Sequence, residues 1–134
     1  MREQFLNLFL FFFRNISENK KERQITMLKV YTSNIRYNGK DRLDITVKSG
    51  DSTFAPTWNM VMKYKKGIMN KKEYTEKYYQ KMRESYKNNR KRWQEILKMK
   101  RVVFVCYCRS GDFCHRILLA EIFEKLGVKY LGEI

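Results

Sequence analysis

The chain is short of acid, histidine, proline and long apolar runs. Its 14 Asp+Glu stand against 29 Lys+Arg, a formal net charge of +15, so its field repels cations and draws anions. No run reaches the length of a membrane span, so no membrane partner is expected. A credible secretory signal is missing too. Three cysteines is an odd count, and together these points argue for free thiols in a reducing cytoplasm over a disulfide framework. There is no internal repeat and no low-complexity linker. Imidazole chemistry has one source, His115, and the lone proline is Pro56.

What is present suffices for one domain. A length of 134 residues supports a single core but not two comfortable ones. The 43% hydrophobic and 15% aromatic content argues against disorder. Between Lys63 and Arg101 there are 15 basic and 4 acidic residues, so most of the positive surplus is local. Such a field attracts nucleic acid or phosphorylated ligands; it equally describes a solvated, Lys-rich helical face. Near the start, Phe5–Phe13 is a mostly apolar block followed by the charged segment Glu18–Arg23. It reads either as a short extra helix or, preferably, as sequence upstream of a true start at Met27. The expected organisation is therefore an extra segment over 1–26 and one α/β domain over 27–134.

Patterning along the domain predicts a strand over Leu28–Thr32 and a second over Leu43–Lys48, with Asp44 and Thr46 on one face. Trp58–Lys66 reads as a helix with a Trp58, Val61, Met62, Lys65 stripe, ended by Gly67. Asn70 is a candidate N-cap for a helix carrying Tyr74, Tyr78 and Met82, weakened or broken at Asn88-Asn89 and followed by Arg90–Met99. Val102–Cys108 is the best strand, apolar throughout as in a sheet buried on both faces. The helix Ile117–Leu126 and a short strand Val128–Leu131 complete the chain. The order β-β-α-α-β-α-β predicts an α/β fold, with a short, mostly parallel sheet and flanking helices.

All three cysteines and the histidine fall between Cys106 and Arg116, where the best strand runs into a helix. A helix start presents unpaired N–H groups and the positive end of its dipole to an anion. Cys-x-Cys-x5-Cys-His offers four soft or borderline ligands. The spacing is unlike the knuckles of structural zinc modules and no second cluster exists, so no metal or other cofactor is expected, zinc being the one weighed. A thiol near Arg and His at a helix start is instead where a thiolate is stabilised. Protein tyrosine phosphatases need Arg six positions after the nucleophile; counted from Cys106 and Cys108, those positions hold Asp112 and Cys114. Cys106 alone reads as a small core residue.

Two resemblances bear on this loop. Cys108-Arg109-Ser110-Gly111, before a helix ending in Glu124-Lys125-Leu126-Gly127, partly resembles the persulfide loop of rhodaneses, although Asp112-Phe113-Cys114 lengthens it before Arg116. More closely, Cys106-x7-Cys114-His115-Arg116 with the apolar helix after it resembles the family catalogued as domain of unknown function 488. Tyr31-Thr32-Ser33 resembles that family's opening strand and turn, and Leu43-Asp44-Ile45-Thr46 its second strand. Phe54–Trp58 and Glu73–Tyr78 resemble a branch found in phages and prophages. The likeness covers about Leu28 to Ile134, with Cys108 standing where many members carry an acid. It implies the fold and the candidate positions Asp44, Cys106, Cys114, His115 and Arg116, and carries over no established activity.

The expectation is an anion-binding site for a nucleotide, nucleic acid or other phosphate-bearing ligand. Arg116, Arg109, Ser110 and Cys106 bind in this reading, with Cys114, His115, Asp44 and Cys108 as candidate catalytic groups. His115 is suited to acid/base work because its unperturbed titration lies near neutrality. Rival readings are a cysteine-dependent enzyme, such as a sulfurtransferase, and a non-catalytic interaction protein in which the tyrosines are ordinary core.

Overall fold

In a computed structural model, residues 27–109 and 111–134 are described. The apolar block Phe5–Phe13, the expected 1–26 segment and the candidate ligand residue Ser110 lie outside them. The described chain forms four strands, β1 (Lys29–Asn34), β2 (Arg42–Asp44), β3 (Arg101–Cys106) and β4 (Lys129–Glu133). Its helices are α1 (Trp58–Lys65), α2 (Lys71–Asn88), α3 (Arg90–Leu97) and α4 (His115–Lys125).

The strands make one sheet of order β2-β3-β1-β4 in which every pairing is parallel. Parallel neighbours need long crossovers, and the helices supply them: α1 to α3 between β2 and β3, α4 between β3 and β4. Central β3 is buried from Val102 to Cys106, the expected consequence of covering both faces of a parallel sheet. Asn34 and Cys106 pair in register at the carboxyl ends of β1 and β3, the edge at which open α/β sheets take their ligands.

Helix boundaries follow local chemistry. The Asn70 side chain accepts from the Glu73 N–H at 2.8 Å, and Thr57 Oγ1 accepts from the Met60 N–H at 3.1 Å. Asn89 closes α2 and opens α3 with a non-helical backbone, φ −124° and ψ 35°. Two strands stop short of their sequence expectations. β3 ends at Cys106 because the Cys108 and Arg109 carbonyls bond to the Arg116 guanidinium instead of a neighbouring strand. β2 ends at Asp44 because its carboxylate accepts from the Thr46 N–H at 2.8 Å and turns the chain. That turn closes on Gly50, where a Cβ would lie 2.4 Å from the Thr46 nitrogen, so no side chain fits.

The core lies between the sheet and α2, α3 and α4. Trp93 is its hub, stacked on Phe123 at 5.3 Å and edge-on to Phe54 at 4.9 Å and Tyr86 at 5.4 Å. Such aromatic pairs add about 0.5–1.5 kcal/mol each beyond area burial. Polar tips are satisfied: Tyr78 donates to the Phe54 carbonyl, Trp93 Nε1 to Ser85 Oγ, and Ser85 to the Thr53 carbonyl. These bonds fasten the segment between β2 and α1 onto α2.

Candidate functional site

The carboxyl end of β3 and the start of α4 bring the three cysteines together. Cys106 is the last residue of β3, Cys108 lies half-buried in the following bend, and Cys114 is the N-cap of α4. Their sulfurs lie within 4.8 Å of one another. Cys114 has extended backbone and makes no side-chain cap bond, so its sulfur is left to face the other two.

Arg116 holds this arrangement from beneath. Its side chain is wholly buried, and each of its five N–H groups has a protein acceptor. Nη1 reaches Cys106 Sγ at 2.8 Å and the Cys108 carbonyl at 3.3 Å. Nη2 reaches the Arg109 carbonyl at 3.0 Å and Glu133 Oε2 at 2.6 Å, while Nε reaches Glu133 Oε1 at 3.1 Å. Glu133 therefore receives the two-pronged pairing in which guanidinium and carboxylate match best. With no N–H left over, Arg116 positions the loop and is not open to a ligand.

His115 is equally committed. Its Nε2 lies 2.7 Å from the Ile45 carbonyl, which can only accept, so Nε2 carries the proton. Burial pushes the imidazole down to about 4, which leaves Nδ1 an unprotonated acceptor near neutral pH. Nδ1 lies 3.6 Å from Cys114 Sγ. Among the sulfurs, Cys108 is pushed down, first by hydrogen bonds from Cys106 and Cys114, which outweigh its burial, and further by the nearby Arg116 charge. Cys106 is pushed up first by its hydrogen bond to Cys108, and Cys114 first by its hydrogen bond to Cys106, then to Cys108 and by burial. The trio thus gives up one proton readily and holds the others.

Above the sulfurs opens a cavity of about 720 Å³, with Cys106, Cys108, Cys114 and His115 at one end. Tyr64, Tyr74 and Phe113 form one wall, their ring centroids 5.4–5.6 Å apart. Lys71 also lines the cavity, its Nζ 5.6 Å from the Phe113 ring centre, and Lys65 and Trp58 come from α1.

The sequence-derived site residues separate into two groups. Cys106, Cys108, Cys114, His115 and Arg116 converge. Asp44 does not line the cavity; its carboxylate accepts from Ser49 Oγ at 2.6 Å and from the Thr46 N–H. Burial raises its pKa, but those hydrogen bonds outweigh burial and leave it lowered, as befits a turn-holding carboxylate. The Arg109 carbonyl joins the Arg116 cradle while its residue is exposed. The α1 stripe needs a correction. Met60 is the buried residue of that helix, while Trp58 is 54% exposed and Met62 41%, and Trp58, Val61 and Lys65 line the cavity instead of packing into the core. Sequence reasoning also missed Tyr64, Lys71 and Phe113 as wall residues and Glu133 as the Arg116 partner.

A parallel α/β domain with a three-cysteine strand-to-helix loop defines the class. The family model described as DUF488-N3a, the active DUF488-N3 subclade, matches residues 11–127, and the chain belongs to this family. No curated protein and no solved structure matches the chain. Among the described residues, no helix is long and apolar enough to cross a membrane.

Proposed function

We propose that the cavity takes a phosphate-bearing ligand, a nucleotide or a segment of nucleic acid, and presents it to the sulfur and imidazole groups. The supporting observation is the lining itself: Lys65, Lys71 and aromatic side chains line the same cavity as Cys108 and His115. Ammonium groups suit phosphate, and aromatic faces suit a base, for which stacking is worth about 1–3 kcal/mol. Arg116, fully bonded within the protein, holds the loop in this reading, and the lysines face the ligand. Tyr74, Tyr78, Tyr79, Tyr86 and Trp93 are buried, so stacking falls to Trp58, Tyr64 and Phe113. The test is binding of nucleotides and of single- and double-stranded DNA and RNA at rising salt. Affinity falls steeply with salt if the lysines engage phosphate; absent or salt-independent binding to every probe refutes the reading.

A second reading, a cysteine-dependent enzyme such as a sulfurtransferase, is favoured by Cys108, a half-buried thiol with a lowered pKa at a cavity wall. The description of the matching subclade as active fits such a role. Thiosulfate-dependent thiocyanate formation from cyanide checks it: turnover lost in Cys108→Ser supports the enzyme, and no turnover in the unaltered protein excludes it for that donor.

A further inference from the structure

We propose that Cys106, Cys108 and Cys114 together form a binding site for one thiophilic divalent cation of the zinc type, with a fourth coordination position turned toward the cavity. The spacing along the chain is unlike that of structural zinc modules, yet the fold closes the loop and gathers the three sulfurs within 4.8 Å. Three thiolates around tetrahedral Zn²⁺, with bonds near 2.3 Å, stand about 3.8 Å apart, so the sulfurs need to draw in by about 1 Å or less.

Each ligand is fixed by a different element. Cys106 ends a buried central strand, Cys114 caps a helix, and Cys108 is held through the carbonyl bonds that Arg116 makes to it and to Arg109. The guanidinium N–H on Cys106 Sγ, 2.8 Å away, is the kind of outer hydrogen bond that tunes a metal-bound sulfur. Arg116 is itself balanced by Glu133, so three thiolates and a divalent cation leave one negative charge in a strongly basic protein. Ordinary core packing accounts for buried Cys106 and Cys114 but not for half-buried Cys108 turned in beside them. All three cysteines line the cavity, and the fourth position is assigned to that side. Three protein ligands and one open position are the pattern of catalytic rather than structural zinc. Coordination releases the thiol protons to solvent and involves no change of oxidation state.

The test uses the full chain, reduced, stripped with a chelator and titrated with Co²⁺ and then Zn²⁺. The expected result is one Co²⁺ per chain, with thiolate-to-cobalt charge-transfer absorption and the intense visible bands of tetrahedral cobalt, both abolished by Zn²⁺. Cys108→Ser, at a half-exposed position that leaves the core intact, is expected to weaken binding at least tenfold. The proposal is overturned if the unaltered protein, with three titratable thiols, shows no thiolate–cobalt absorption, or if Cys108→Ser binds as tightly as the parent. Metal binding here does not depend on the phosphate reading, so the two fail separately.

Discussion

Replacing Arg116 with Ala removes the contacts that set the loop. The guanidinium is wholly buried and serves two backbone carbonyls, Cys106 Sγ and both oxygens of Glu133. Removing one partner of a buried ion pair costs about 3–5 kcal/mol, because the remaining charge keeps its desolvation without its counter-ion. Glu133 retains 22% of its side-chain exposure, so partial solvation places the cost toward the lower end of that range. Against a total stability of about 5–15 kcal/mol, such a loss is severe. In urea titrations with a slope near 2 kcal/mol per molar, a loss of about 3 kcal/mol lowers the midpoint by about 1.5 M. Arg116→Lys keeps the charge but lacks the planar fork, and falls between the parent and Ala. Arg116→Met combined with Glu133→Gln is less destabilised than Arg116→Met alone, since no carboxylate is stranded. A loss below about 1 kcal/mol in Arg116→Ala, or a double variant no better than the single, refutes the cradle.

Tyr78→Phe strands the buried Phe54 carbonyl and is expected to cost about 1–3 kcal/mol by urea unfolding, with little effect on ligand or metal binding. Asp51 accepts from Arg92 Nε at 2.7 Å, and its carboxyl is held below the ordinary range: burial raises it, but hydrogen bonds from Arg92 and Thr53 prevail. A depressed folded-state pKa stabilises above the unfolded value and loses that contribution as pH falls through the folded one. Stability from this pair is therefore expected to fall on acidification below about pH 4, and Asp51→Asn is expected to flatten that limb of the pH profile. Lys65→Glu with Lys71→Glu is expected to reduce both nucleotide affinity and its salt slope while leaving the urea midpoint nearly unchanged.

Much of the fold was legible because its signals are local. The apolar run before Cys106 marked a buried parallel strand, and Asn70 with Glu73 marked the start of α2. Tyr74, Tyr78 and Met82 at helical spacing marked the course of α2, and each is buried. The Cys106 to Arg116 cluster was visible as a concentration of chemistry between a strand and a helix. What stayed hidden depends on distant partners. Nothing in the sequence tells that Glu133 of the last strand closes on Arg116, turning a candidate anion ligand into a fully bonded support. The α1 stripe carried the correct period, but periodicity cannot distinguish a face packed on the core from one lining a cavity. Asp44 was singled out as a candidate catalytic group, whereas its carboxylate faces the turn formed with Thr46 and Ser49.

The most direct test of the cavity as a ligand site is the alkylation rate of Cys108 in metal-free, reduced protein, followed residue by residue by mass spectrometry. A nucleotide or oligonucleotide seated between the lysines and the aromatic wall covers that sulfur. The rate is therefore expected to fall severalfold as ligand is added and to recover at high salt. An unchanged Cys108 rate with every nucleotide and nucleic acid tried, at concentrations that saturate binding to the protein, contradicts the assignment and places any such ligand elsewhere on the basic surface.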